Sequence, residues 1–211
     1  MPNWCTSRCG FFCADEHKNE LARLYKNLSA VLETPSEVKN GFELGWLGKV
    51  AIHHGLDWQE YSCRGTIEEL GEFEPGDNFF TLDSETAWAP TVELWEAVIA
   101  QYEGVSFIYI AEEPGSDIFV NTDVEGRYFT DRYLIDIFGN GPIPESWYEG
   151  KEKPDCLEIR EYFENFDDIA DYCADFTGKQ FGTFEELQNY FAEIFGENDG
   201  IHVGVHEFTD S

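Results

Sequence analysis

At 211 residues the chain has room for one domain, or for one domain with a substantial extension. A hydrophobic content of 42%, with 18 Phe, 10 Tyr and 6 Trp, excludes an intrinsically disordered chain, because disordered acidic chains lack aromatics. The 43 acidic residues against 13 basic ones exclude phosphate backbones and anionic lipid surfaces as direct partners by simple repulsion.

The imbalance is uneven along the chain. Residues 1–60 carry 8 acids and 6 bases, whereas residues 61–211 carry 35 acids and 7 bases. An excess of that size repels something, attracts something basic, or binds cations. No basic stretch followed by an apolar run opens the sequence, so no signal peptide is expected. The longest apolar stretch, about Phe107–Ala111, is far short of a membrane span. Six cysteines are then expected as free thiols, and the protein as cytoplasmic with no membrane partner.

Asn3–Cys13 reads as a first strand, followed by a helix beginning near Asp15. Leu21, Leu24, Tyr25, Leu28 and Leu32 recur at helical spacing, and Pro35 ends the helix. Glu43–His54 predicts a second, shorter helix closed by Gly55. Tyr61–Glu69 and Asn78–Asp83 are two strands joined by the turn Glu74-Pro75-Gly76-Asp77. Pro90 introduces a helix whose inward face is Val92, Trp95, Val98, Ile99 and Tyr102. Strands are predicted over Val105–Glu112, Asp117–Asn121 and Gly126–Ile137.

Glycines and prolines over 139–155 then read as a linker. Beyond it come strand Cys156–Tyr162, helix Asn165–Phe176, helix Phe184–Phe195 and strand Ile201–Phe208, with Thr183 and Glu186 as a capping box. This order predicts the α+β class, with a mostly antiparallel sheet and helices on one face. The expected organisation is a domain over 1–138, a linker over 139–155, and an acidic βααβ extension over 156–211. A unit of that size is marginal alone, so it is expected to dock on the main domain or extend its sheet.

Met1-Pro2-Asn3-Trp4-Cys5, Trp46-Leu47-Gly48, Cys63-Arg64-Gly65, Thr86-Ala87-Trp88 and Glu112-Glu113-Pro114-Gly115 resemble the YubB ferredoxin-like family of phages, plasmids and conjugative elements. The resemblance covers about residues 1–138. It implies a ferredoxin-like plait and a mobile-element origin, and it implies no catalytic residues. The chain departs from the pattern at Cys9 and Cys13, where an aliphatic residue and a glycine are expected.

Cys5, Cys9, Cys13 and His17 invite a metal reading, which strand geometry opposes. Residues four apart in a strand are about 13 Å apart, too far for one zinc with bonds of about 2.0–2.3 Å. His202 and His206 fail by the same arithmetic, and the adjacent His53 and His54 point in different directions. No metal site and no cofactor are therefore expected. Asp83, Glu85, Glu112 and Glu113 suggest an acid/base pair, but no nucleophile-plus-base arrangement or phosphate loop accompanies them. The chain is read as a non-enzyme. Trp88 is expected to anchor the start of the helix after Pro90, with stacking on a ligand as the alternative.

Asp167, Asp171 and Asp175 stand at i, i+4, i+8 with Asp168 beside them, opposite an apolar face of Ile169, Tyr172, Cys173 and Phe176. Each like-charge pair costs roughly 0.2–0.5 kcal/mol, so local stability is given up to hold a row of carboxylates. These four aspartates are the expected partner-binding face. The leading expectation is a non-catalytic acidic protein that binds a basic protein partner, in its sharper form a DNA mimic directed at host defence. The alternative is a small-molecule or divalent-cation binding module with oxygen ligands. A nucleic-acid reader would need a basic funnel that is missing.

Two like charges about 10 Å apart in water repel by roughly 0.4 kcal/mol before screening. Summed over many neighbours this reaches several kcal/mol at low salt and fades as the Debye length falls to about 8 Å. Thermal melting followed from low to high salt is expected to rise; a flat melting temperature would contradict unpaired carboxylates.

Overall fold

The structure, a computed structural model, describes residues 3–39, 41–42, 44–141, 143–148, 155–195 and 200–210. It is α+β with antiparallel sheets, and the chain divides into two units, 1–123 and 124–210. Among the described residues no helix is long and apolar enough to cross a membrane.

In the first unit, β1 (Trp4–Cys13) places Cys5, Ser7, Cys9, Phe11 and Cys13 on one buried face, as the period of two in a strand requires. Helix α1 (Lys18–Glu33) answers with a stripe of Leu21, Leu24, Leu28 and Val31. There follow α2 (Leu47–His53), β2 (Gly65–Leu70), β3 (Phe79–Ala87), α3 (Val92–Ile99), β4 (Val105–Glu113) and β5 (Ile118–Asn121). The sheet runs β2-β3-β1-β4-β5, antiparallel at every pairing. Residues from all three helices join β1, β2 and β3 in one apolar cluster. At its centre Phe11 stacks on Phe80 at 5.1 Å and meets Trp95 edge-on at 5.5 Å. The turn expected at Glu74–Asp77 is present, with Gly76 at φ 110 and the Asp77 amide donating to the Glu74 carbonyl at 3.0 Å.

The C-terminus of α1 is closed by a cation from another helix. The Lys49 ammonium, on α2, donates to the carbonyls of Val31 and Thr34 and, at 2.7 Å, to that of Leu44. A positive charge there satisfies carbonyls that have no partner within the helix. Burial lowers the Lys49 pKa from its ordinary value.

The second unit contains β6 (Tyr133–Gly139), β7 (Leu157–Phe163), α4 (Phe166–Thr177), α5 (Phe184–Phe195) and β8 (Ile201–Glu207). Its sheet is β7-β6-β8, again antiparallel. Ile135 and Ile137 on β6 pack with Ile169 and Cys173 of α4 and with Leu187, Phe191 and Phe195 of α5. Asn165 caps α4 by accepting the Asp168 amide at 3.0 Å, and Gly178 at φ 70 closes it. The Thr183 hydroxyl accepts the Glu186 amide at 3.2 Å, the expected half of the capping box. The Glu186 carboxylate reaches back to the amide of Gly182 instead of Thr183.

The domain boundary expected after residue 138 is corrected to Asp123/Val124. The strand expected over 126–137 starts only at Tyr133, and both its edges are hydrogen-bonded by strands from beyond residue 139. It belongs to the second core. The extension over 156–211 therefore does not lengthen the first sheet. Of the expected linker, residues 142 and 149–154 lie outside the described residues. In the remainder, Glu145–Trp147 form a 3-10 turn that buries Trp147 in the second core.

Replacing Lys49 by Met keeps the aliphatic stem but strands the Thr34 and Leu44 carbonyls and leaves Val31 only its 3.4 Å bond from the Thr34 amide, and is expected to cost about 3 kcal/mol. Urea unfolding of Lys49→Met checks this; an unchanged midpoint would contradict a structural role for the ammonium.

Candidate functional site

Helix α4 brings the four expected aspartates together. Asp167, Asp168, Asp171 and Asp175 are all exposed. At about 100° per residue they cover an arc of about 100°, and Tyr172 and Phe176 occupy the next 80° or so toward the core. The row rises about 12 Å along the axis. Asp168 is partly engaged, accepting from the Asn165 side-chain amide at 2.8 Å.

Beside this row the second unit opens a cleft of about 340 Å³, lined among others by Trp147, Tyr148, Leu157, Tyr172, Asp175 and Phe176. The rings are held by mutual packing: Trp147 meets Phe176 edge-on at 4.9 Å and Phe195 at 5.3 Å. Asp175 thus belongs both to the acidic row and to an aromatic wall. No described lining residue is basic. Aromatic faces carry negative potential and attract cations. The same unit already uses that attraction, since the Lys179 ammonium lies 4.7 Å from the ring centre of Tyr190. A cationic side chain entering the cleft would find rings on its stem and a carboxylate at its head. Sequence reading found the aspartates by spacing; it missed the cleft, because Trp147 and Tyr148 fall in a stretch read as linker.

The remaining candidates scatter. Cys5, Cys9 and Cys13 are buried along β1, and burial raises all three thiol pKa values. Burial pushes the Cys63 thiol up to about 11 and that of Cys173 up to about 12, so both stay un-ionised near neutral pH. Among the described residues no group of three or more His, Cys, Asp or Glu side chains could hold a metal ion. Asp83 is paired to Arg8 directly across the sheet, through two bonds of 2.7 Å. Glu113 is buried; one of its oxygens accepts the Gly115 amide at 2.9 Å and the other has no partner among the described residues. His202 and His206 take the face of β8 opposite Ile201, Val203 and Val205, and His202 packs on Phe138 at 4.6 Å.

Trp88 is not the anchor expected at the start of α3. The residue is 50% exposed, whereas Leu94 and Trp95 of α3 are buried. Its backbone sits at φ 76, left-handed and strained for a bulky residue by roughly 1–3 kcal/mol. Hydrogen bonds on both sides hold it: its amide donates to the Asn3 carbonyl at 3.0 Å, and Thr86 Oγ1 donates to the Ala89 carbonyl at 2.7 Å.

The two adjacent histidines do diverge. His53 is exposed, whereas His54 is half-buried in a hydrogen-bonded chain. A carbonyl can only accept, so His54 Nδ1, 2.7 Å from the Val50 carbonyl, carries the proton. Nε2 then accepts from the Tyr102 hydroxyl at 2.8 Å, and that oxygen accepts from Asn27 at 2.7 Å. The chain suits a neutral ring.

No family model, curated protein or solved structure matches this chain.

Burial, reinforced by the charges of His53 and Arg23, lowers the His54 pKa below its ordinary 6.5. Between the two values the unfolded chain binds more protons. The stabilisation is therefore complete above about pH 6.5 and is lost as pH falls through the folded value. An NMR titration is expected to place His54 below 6.5, and wild type should lose stability relative to His54→Asn as pH falls below about 6.5. A midpoint at or above 6.5 would contradict the buried neutral ring.

Proposed function

We propose that this chain is a non-catalytic interaction protein whose second unit binds a basic protein partner. Asp167, Asp168 and Asp171 draw a basic segment toward α4, and the aromatic cleft beside Asp175 seats one of its Lys or Arg side chains. The observation that carries this reading is the shared position of Asp175, on the acidic row and in the wall of an aromatic cleft with no basic lining residue among those described. A rim carboxylate steers and selects. A ring-lined cleft supplies the desolvated contact from which affinity comes.

Charge density bears on the sharper form, a DNA mimic. Four carboxylates over about 12 Å give one charge per roughly 3–4 Å. One DNA strand carries one per about 3.4 Å of axis and the duplex one per about 1.7 Å. Helix α4 therefore supports imitation of a single strand's phosphates; a duplex would need a second row.

For the first unit we propose a ferredoxin-like plait. The succession β1-α1-β2-β3-α3-β4, with α2 inserted before β2 and β5 added beside β4, and the antiparallel order β2-β3-β1-β4 support it, since β3 separates β1 from β2 and β1 separates β3 from β4. A mobile-element origin rests on the YubB-like segments quoted above.

A fluorescent peptide of mixed Lys and Arg tests the partner reading. Binding is expected to weaken with salt, and Asp167→Asn/Asp171→Asn/Asp175→Asn to weaken it about tenfold, the equivalent of about 1.4 kcal/mol. Removing like charges at i, i+4 leaves the helix slightly more stable, so the loss cannot be assigned to unfolding. Equal binding by the triple variant would end this reading.

A further inference from the structure

The first unit has its own cleft, of about 590 Å³, whose lining includes Lys39, Phe42, Trp46, Trp58, Tyr61 and Arg64. That volume lies within the roughly 300–1,000 Å³ of small-molecule sites. We infer that it binds a small planar anion: a heteroaromatic ring carrying a phosphate or a carboxylate.

The walls are rings held in place. Trp46 is buried and donates from Nε1 to the Cys63 carbonyl at 2.8 Å. Trp58 packs edge-on against it with ring centres 5.2 Å apart. Phe42 is met edge-on by Trp4 at 6.1 Å. Fixed rings lose little freedom when a flat ligand lies against them.

Charge selects the ligand class. Residues 61–123 contain 14 acids and a single base, and that base is Arg64. In the same unit ion pairs hold Arg8, Lys18 and Arg23. Lys39 and Arg64 have no carboxylate partner among the described residues, and no described residue lining the cleft is acidic. Carboxylates outnumber cations about threefold in this chain, so two cations without a carboxylate partner among the described residues, on one aromatic cleft, mark a place for an anion from outside. A guanidinium presents a planar fork matched to phosphate or carboxylate.

Arg64 is also fixed along the chain: its carbonyl accepts the Ala87 amide at 2.9 Å, next to the strained backbone of Trp88. At physiological salt, charges farther than about 8 Å are largely screened, so the distant acids do not override contact with the two cations.

Calorimetric titration of the full chain with adenosine monophosphate, indole-3-acetate and uncharged adenosine tests this. At least one anion is expected to bind with a dissociation constant of about 1 mM or tighter, and adenosine about tenfold more weakly. Arg64→Gln should weaken the anion about tenfold and leave adenosine unchanged. Among the described residues the Arg64 side chain makes no hydrogen bond or ion pair, so melting should stay at the wild-type value. Preference for the phosphate or for the carboxylate probe identifies the ligand's anionic group, and either supports the site. Failure of all three probes to saturate at about 10 mM would overturn it, as would binding within twofold of wild type by Lys39→Gln/Arg64→Gln.

Discussion

Carboxylates cannot be buried without partners, and this chain has 43 of them. Most elements are therefore two-faced, with an apolar stripe inward and polar or charged residues outward, Glu113 on β4 being a buried exception. The aromatic content makes that workable, because a ring buries a large area per position. Phe11, Phe80 and Trp95 fill the first core; Trp147, Phe191 and Phe195 fill the second. Each unit also has a strand paired on both edges, β1 in one and β6 in the other, whose alternation fixes which face the helices cover. A polar residue at Phe11 or Ile135 would leave the surrounding repulsion without its counterweight.

The division at Asp123 changes how the charge is distributed. Counted by unit, residues 1–123 carry 22 acids and 7 bases, and residues 124–210 carry 21 and 6. Both units thus stand at −15, and the second holds its charge on fewer residues. The near-neutral first 60 residues are β1, α1 and α2, half of a unit whose other half is acidic. Charge contrast along the chain is therefore a property within the first unit.

Cations in such a protein are scarce enough that each position counts. Some close salt bridges across strands, as Arg8 does with Asp83 and Arg160 with Asp136. Lys49 closes the end of a helix, and Lys179 rides over aromatic rings. Among the described residues Lys39 and Arg64 do none of these, and they line the same cleft as Trp46 and Trp58. The two proposed sites have opposite electrostatic character, each in its own unit.

Local pattern was enough for much of this. Helical spacing located α1, α4 and α5, alternation located β1 and β8, and Glu74–Asp77 announced its turn, because these signals depend only on neighbours a few residues away. The four aspartates of α4 were legible for the same reason. Partner choice was not. Nothing in Tyr133–Gly139 tells which strands will bond its edges, since backbone donors and acceptors are the same for every sequence. Only folding assigned it to β7 and β8 and moved the boundary. Likewise, residues 39, 46, 58 and 64 become one cleft only when the segments on either side of α2 come together, and Trp147 becomes a cleft wall only by packing against α4 and α5. Sequence alone determined which residues must stay in water and which must leave it; tertiary structure decided which of them meet, because meeting is a long-range property of packed surfaces.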